Sequence, residues 1–289
     1  MEFHLYLPQM RLGADAIVER ARAAEAAGFG GIAVMDHLAP PGAEDQTIWE
    51  AFGIATWLAA HTERLLVSHL VLCDAFRHPA QLAREALTLD HLSNGRFELG
   101  LGAGSVPDEF ARFGIPAGSP AERLARLDET LTVLGRLWSG EPVDHPGPRF
   151  PMHGALQRPT PVGGRIPIVL GGASPGLLEL VRRHADWWNL PPGQLDRLEE
   201  LRPLAGERAK VSVLEMIALV PDADDGATEA LARRRFGHLG DALVVGRTAE
   251  IRDHVGGLAE RGVDRLYVWF ADFAAPSTLA AFGEHVISG

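Results

Sequence analysis

The feature of this sequence with the clearest capacity for chemistry is an Asp-His pair that follows a short apolar segment. Residues 31–35 are apolar without alternation, as in a parallel strand buried on both faces, and Asp36 and His37 come next. In parallel α/β sheets, catalytic side chains collect where the strands end. A histidine there can act as a general acid or base, and an adjacent carboxylate can fix its tautomer. We predict that His37 is catalytic or contacts a cofactor. We place Asp36 in the same cofactor site, with a mainly structural role. A rim histidine that only hydrogen-bonds Asp36 is the alternative.

Two glycine-rich segments follow later apolar segments and could contact a ligand through their backbones. One spans residues 102–105 and the other spans residues 171–174, directly before a predicted helix. Glycine lets the backbone approach a ligand closely, and a helix N-terminus presents N–H groups to a phosphate. A tight strand-to-helix turn would require glycine as well, so both interpretations stay open. The first segment is not a dinucleotide fingerprint, because Ser105 occupies the third glycine position.

A second kind of chemistry is offered by the sequence GASPG at residues 172–176, which matches the G-x-S-x-G pattern of a hydrolase nucleophile elbow. Ser174 would be the nucleophile, followed in chain order by Asp253 or Asp264 and by His285. Against this, His285 lies in a regular terminal helix, and His37 would have no role. We keep a serine hydrolase as an alternative.

Neither a metal site nor a reactive cysteine is expected. The twelve histidines include no HExxH and no pair at alternate positions of a strand. Cys73 adjoins Asp74, whose negative charge would raise the thiol pKa and weaken Cys73 as a nucleophile.

These residues must be positioned by a regular alternation of strands and helices. Helical periodicity predicts helices at 14–27, 47–60, 79–92, 121–138, 177–185, 194–204, 227–236, 248–261 and 277–286. Apolar runs predict strands at 3–7, 31–35, 65–72, 97–101, 166–170, 187–190, 211–220 and 265–270. We predict a loop at 107–119, and a surface excursion or small hairpin at 141–164. Eight strands with no linker between them favour a single α/β domain over residues 1–289, a (β/α)8 TIM barrel.

Composition limits the classes of partner. The formal net charge of −11 argues against a nucleic-acid partner, since proteins that bind nucleic acid concentrate lysine and arginine on one face. A single cysteine fits a reducing compartment, and the N-terminus lacks the pattern of a signal peptide. No apolar run approaches the roughly 20 residues needed to span a bilayer. We expect a cytoplasmic protein with a small-molecule substrate and no membrane partner.

Most of the chain resembles the bacterial luciferase-like flavin-dependent oxidoreductases. The likeness rests on GFGGIAVMDH, on RHP followed by a helix ending in LSNGRFELGLGAG, on IPIVLGGASPGLLELVRRHADWWN, and on LVVGRTAEIRDHVGGLAERGVDRLYV. The resemblance implies a luciferase-like (β/α)8 barrel that binds the deazaflavin coenzyme F420, or FMN, at its C-terminal mouth. We prefer F420 because His37 is similar to the histidine of the DH motif in the deazaflavin branch.

The resemblance also implies roles for particular positions. His37 would lie by the reactive ring and assist proton transfer, and Leu70 and Val71 would form a non-prolyl cis peptide beneath the ring. The remaining contacts divide into backbone contacts to the cofactor from Ala103, Gly104 and Ser105, and a phosphate cradle made by Gly171, Gly172, Ala173 and Ser174.

Two departures from the family bear on the substrate. Ser105 stands where some sugar-phosphate dehydrogenases of the family carry an acidic residue, and the region between Asn189 and Gly246 is short. The resemblance suggests a homodimer. If FMN is bound, the enzyme would be a monooxygenase supplied by a flavin reductase. A barrel that has lost its cofactor is a further alternative.

Overall fold

The computed structural model describes residues 1–116, 118–221, 223–224 and 226–289. Its strands are β1 (Glu2–Tyr6), β2 (Gly31–Val34), β3 (Leu66–His69), β4 (Leu72–Cys73), β5 (Phe97–Gly102), β6 (Val143–His145), β7 (Met152–Ala155), β8 (Ile168–Gly171), β9 (Trp187–Leu190), β10 (Lys210–Leu219), β11 (Leu243–Gly246) and β12 (Arg265–Phe270). Its helices are α1 (Ala14–Ala26), α2 (Ala51–His61), α3 (Pro79–Leu92), α4 (Pro107–Arg112), α5 (Pro120–Leu137), α6 (Pro175–His184), α7 (Leu198–Ala205), α8 (Ala227–Phe236), α9 (Thr248–Glu260) and α10 (Pro276–Phe282).

In this described part of the chain, eight parallel strands form a closed ring. Its order is β1, β2, β3, β5, β8, β9, β10 and β12, and the pairing of β12 with β1 completes the circle. Apolar runs fit such a ring because parallel strands are covered on the inner face by one another and on the outer face by helices. Strands β2, β5 and β9 are accordingly buried at every position. The predicted (β/α)8 barrel is confirmed.

Each of the eight predicted strands coincides with a strand of the ring, but the predicted loop at 107–119 is wrong in its first half. Helix α4 occupies residues 107–112, with Pro107 in its first turn and Asp108 and Glu109 after it. Proline at the first helical position with acidic residues behind it is a helix-start signal, and the surrounding glycines and prolines obscured it. The excursion at 141–164 contains the antiparallel hairpin of β6 and β7.

One further strand was not predicted. Strand β11 pairs in parallel with the second half of β10, outside the ring, before α9 begins. Its four residues are too short a run to stand out from the helices on either side.

The N-terminal end of the barrel is closed by a buried charged cluster. Arg265, 2% exposed, lies 2.6 Å from the Glu98 carboxylate and 2.7 Å from that of Glu2. Its guanidinium carbon stacks 3.6 Å from the centroid of the Trp187 ring, and Nη1 donates to the Tyr267 hydroxyl at 3.1 Å. A buried arginine needs such pairing because desolvation of an unpaired charge is costly. Ligands must therefore enter the barrel from its other end.

None of the helices in the described ranges is long and apolar enough to cross a membrane.

Candidate functional site

The C-terminal mouth of the barrel holds a cavity of about 420 Å³. Its walls come from the carboxyl ends of β2, β5, β8 and β9, from the segment after β3, and from the starts of α4, α5 and α6. Each residue that the sequence assigned to a cofactor lies on its lining: Asp36, His37, Leu70, Val71, Ala103, Gly104, Ser105, Gly171, Gly172, Ala173 and Ser174. Segments separated by up to 138 positions in the sequence therefore meet at one site.

His37 is hydrogen-bonded to a carboxylate, but not to the one that the sequence suggested. Its Nδ1 lies 3.0 Å from Oε2 of Glu109, the third residue of α4. Oε1 of Glu109 accepts the backbone N–H of Leu38 at 2.6 Å and that of Ala39 at 3.4 Å. The Glu109 side chain is 8% exposed and that of His37 is 22% exposed, so the pair lies at the edge of the cavity. Sequence reasoning missed Glu109 because it fell in a predicted loop.

Asp36 points away from His37 and cannot fix its tautomer. Its carboxylate forms a two-point ion pair with Arg77, at 2.6 and 3.0 Å, and accepts the backbone N–H of Cys73 at 2.8 Å. Burial alone would lower the pKa of Arg77, but its hydrogen bonds with Asp36 and Glu50 outweigh burial and raise it. The structural role predicted for Asp36 therefore takes the form of a tie between the ends of β2 and β4.

The floor of the cavity is the Leu70–Val71 peptide, which is cis, as the resemblance implies. The Val71 side chain fills the space that side chains at three neighbouring glycines would need. A Cβ at Gly102 would lie 2.8 Å from a Val71 methyl group, one at Gly100 3.3 Å, and one at Gly171 3.4 Å. The three glycines therefore make room for the Val71 side chain in the floor of the cavity.

At the opposite wall, the backbone before α6 is held in place by β9. The N–H of Gly172 donates to the Asn189 carbonyl at 3.1 Å, and the Trp188 indole Nε1 donates to the Gly172 carbonyl at 2.8 Å. Gly172 has φ of +144°, and a Cβ there would lie 2.3 Å from the Leu177 side chain. The N–H groups of Ala173 and Ser174 donate to no residue that the structure describes, and they adjoin the positive end of the α6 dipole.

Arg123 of α5 brings a positive charge to this side of the cavity. It is the one arginine or lysine among the described residues that line it. Its Nη1 donates to the Gly118 carbonyl at 2.9 Å, whereas its Nε is shielded from solvent and has no partner among the described residues. The amphipathic pattern of α5 did not indicate that Arg123 would line the cavity.

The side chain of Ser174 caps α6. Its hydroxyl accepts the Leu177 N–H at 3.3 Å, and no described histidine is hydrogen-bonded to it. His285, the base of the hydrolase alternative, is half exposed and its nearest charged partner is Glu284, 3.9 Å away. The geometry therefore gives no support to a serine nucleophile.

Neither the Cys73 thiol nor a metal-binding cluster adds reactive chemistry to the described part of the cavity. Burial raises the pKa of the Cys73 thiol to about 12, with smaller contributions from Asp36 and Asp74, so the thiol stays neutral. Within the described ranges, no group of three or more histidine, cysteine, aspartate or glutamate residues could hold a metal ion.

Comparison with known proteins gives the following relationships. A family model described as luciferase-like monooxygenase matches residues 1–233. An F420-dependent glucose-6-phosphate dehydrogenase of Mycobacterium tuberculosis is 31% identical over 239 residues, which cover 76% of this chain and 68% of that protein.

Solved structures with the same fold include an F420-dependent secondary alcohol dehydrogenase in complex with an F420-acetone adduct. It has a TM-score of 0.82 and 20% identity, over 99% of this chain and 98% of that one. The monooxygenase RslO1 from Streptomyces bottropensis has a TM-score of 0.83 and 22% identity, over 100% of this chain and 99% of that one. At these identities the likeness concerns the fold.

Proposed function

Because this chain belongs to the luciferase-like monooxygenase family and is thus an oxidoreductase, we propose that it transfers a hydride between coenzyme F420 and a small organic substrate. The observation that carries the proposal is the convergence of His37, Leu70, Val71 and the two glycine segments on one cavity. The relative from Mycobacterium tuberculosis, named for its dependence on F420, supports this coenzyme over FMN.

The cavity fits a flat ring with a phosphate-bearing tail. The ring would rest on Leu70 and Val71, which line the cavity, with the Val71 side chain seated in the space left free by Gly100, Gly102 and Gly171. The tail would extend toward α6, where the free N–H groups of Ala173 and Ser174 can donate to a phosphate. Arg123 supports the same direction, because it is the one arginine or lysine among the described residues that line the cavity, and a guanidinium binds phosphate through charge-assisted hydrogen bonds.

The protein would contribute position and a proton to the reaction. When bound, the coenzyme accepts or donates the hydride, and such catalysis depends mainly on how closely its ring and the substrate are held together. His37 lies at the edge of the cavity with its Nδ1 occupied by Glu109. Its Nε2 would take the hydroxyl proton of an alcohol substrate, or return it in the reverse direction.

A binding screen with purified protein tests this function. We expect F420 to bind more tightly than FMN in parallel fluorescence titrations. Arg123→Gln should weaken F420 binding about 10-fold or more, because it removes a charge-assisted hydrogen bond. Arg136→Gln is the matched control: Arg136 belongs to the same helix, is exposed and lies outside the cavity lining. His37→Ala should bind F420 but transfer hydride slowly.

The FMN-dependent monooxygenase is the second candidate function, and the description of the matching family favours it. It predicts retention of FMN by the purified protein and oxygen uptake when a flavin reductase supplies reduced FMN; that result would overturn the choice of F420. If neither molecule binds, the protein is a barrel that has lost its cofactor. If the protein hydrolyses esters and Ser174→Ala loses that activity, the serine-hydrolase alternative would be supported instead.

A further inference from the structure

We propose that Glu109 is a positioning residue that holds His37 in a single tautomer, with the proton on Nδ1 and with Nε2 free to exchange a proton with the substrate. This inference rests on the proposed function for its catalytic consequence. The hydrogen bond from which it starts is a property of the protein alone: Glu109 Oε2 lies 3.0 Å from His37 Nδ1.

The chemistry of a carboxylate decides the direction of that hydrogen bond. An ionised carboxylate only accepts hydrogen bonds, so Nδ1 of His37 must carry the hydrogen that joins them. In a neutral imidazole the other nitrogen, Nε2, is then the acceptor. No described residue is hydrogen-bonded to Nε2, and His37 lines the cavity. The nitrogen able to accept a proton is therefore the one available to a ligand.

Glu109 is itself fixed in place, which a positioning residue requires. Its other oxygen accepts the N–H of Leu38 at 2.6 Å and that of Ala39 at 3.4 Å, directly after His37 in the chain. One side chain thus binds both the imidazole and the backbone that carries it. The 8% exposure of the Glu109 side chain limits competition from water for these contacts.

The other nearby carboxylate cannot take over this role. Asp36 is committed to Arg77 and to the Cys73 N–H. Asp108, next to Glu109 on α4, is exposed and lies outside the cavity lining. Of the described residues, Glu109 is the one that meets the His37 ring with a charged group.

The proton and electron balance of the step follows from this arrangement. In the oxidation of an alcohol, Nε2 of His37 would take the proton of the hydroxyl oxygen, and oxidised F420, when bound, would be the acceptor of the hydride from the carbinol carbon. The C–H and O–H bonds would break and a C=O bond would form, so the two electrons lost by the substrate would balance those gained by the coenzyme. Glu109, 3.0 Å from Nδ1, would stabilise the imidazolium that results.

The tautomer can be measured directly, without coenzyme. Protein labelled with 15N-histidine, recorded at about pH 9 where an ordinary imidazole is neutral, distinguishes protonated from unprotonated ring nitrogens. The His37 signals are assigned by their loss in His37→Gln. We expect a single tautomer with the proton on Nδ1 in the wild type and in Asp108→Asn. Glu109→Ala should give a mixture of tautomers, and Glu109→Gln should restore much of the preference because its amide oxygen still accepts.

The catalytic consequence is measured separately. Glu109→Ala should slow hydride transfer about 10- to 100-fold, the usual range for removal of a supporting carboxylate, with little change in the F420 dissociation constant. Asp108→Asn should retain the wild-type rate. An unchanged 15N pattern in Glu109→Ala would overturn the proposal. So would a wild-type rate of hydride transfer in Glu109→Ala, provided that the wild type uses F420. Failure of the wild type to bind F420 would refute the proposed function and leave the tautomer result intact.

Discussion

The histidines at the ends of β2 and β3 are chemically opposite although two neighbouring strands carry them. His37 is partly exposed at the cavity and its Nδ1 meets the Glu109 carboxylate. His69 is completely buried, packed against the rings of Phe52 and Phe97 with centroids 4.8 and 5.8 Å away. One residue type therefore lines the cavity as the proposed reactive group in one place and is a neutral core side chain in the other.

Burial of His69 predicts a specific loss of stability in acid. Burial lowers its pKa from the ordinary 6.5 to about 4, while the charges of Asp36 and Arg77 act in opposite directions. The stabilising effect of the neutral ring is complete above pH 6.5 and is lost as the pH falls toward 4, because only the unfolded chain then takes the proton. Over that window the free energy of unfolding should fall by about 3 kcal/mol through His69 alone.

Urea unfolding at pH 7 and pH 4 measures this contribution. In His69→Gln the decrease between the two pH values should be smaller than in the wild type by about 3 kcal/mol. His153→Gln, on the exposed hairpin, should keep the wild-type decrease, and His4, whose pKa burial also lowers, titrates in all three proteins. Equal decreases in all three proteins would contradict the assignment.

At the scale of elements, the packing of β5 against the end of β3 depends on Gly100. A Cβ on Gly100 would lie 1.8 Å from the His69 carbonyl oxygen, a backbone atom held in the strand ladder. Gly100→Ala should therefore cost about 3 kcal/mol or more of unfolding free energy, as overpacking of a core does. Gly135→Ala in α5 is the control: nothing lies within 4 Å of its Cβ, and we expect a gain of about 0.5 to 1 kcal/mol. Thermal unfolding of both variants against the wild type measures the difference.

The elements also show what the sequence could and could not predict. Strand β9 and helix α3 were recoverable because apolar runs and helical periodicity are local signals. The pairing of His37 with Glu109 was not, because the two lie 72 positions apart and nothing in either segment specifies the other. Asp36 was the nearest carboxylate in sequence, but Arg77, 41 positions away, holds it in the fold. Local signals thus predicted where the strands end, whereas the hydrogen-bond partners of His37 and Asp36 depend on tertiary contacts.

For the molecule as a whole, Arg265 connects strands on several sides of the ring. It lies on β12 and binds Glu98 of β5 and Glu2 of β1, while stacking on Trp187 of β9. Arg265→Met should lower the unfolding free energy by about 3 to 5 kcal/mol, since it leaves the buried Glu98 charge without a partner. The double variant Arg265→Met with Glu98→Leu should recover part of this loss, because no charge then remains unpaired. Denaturant unfolding of the three proteins tests this, and an unaltered midpoint in Arg265→Met would contradict it.

The charged cluster around Arg265 closes the N-terminal end of the barrel, so the cavity has a single entrance at the C-terminal mouth. A molecule bound on the floor formed by Leu70 and Val71 would therefore leave through the same mouth by which it entered. If the coenzyme ring binds on that floor, we expect it to bind before the substrate, and we expect the product to leave before the coenzyme is exchanged.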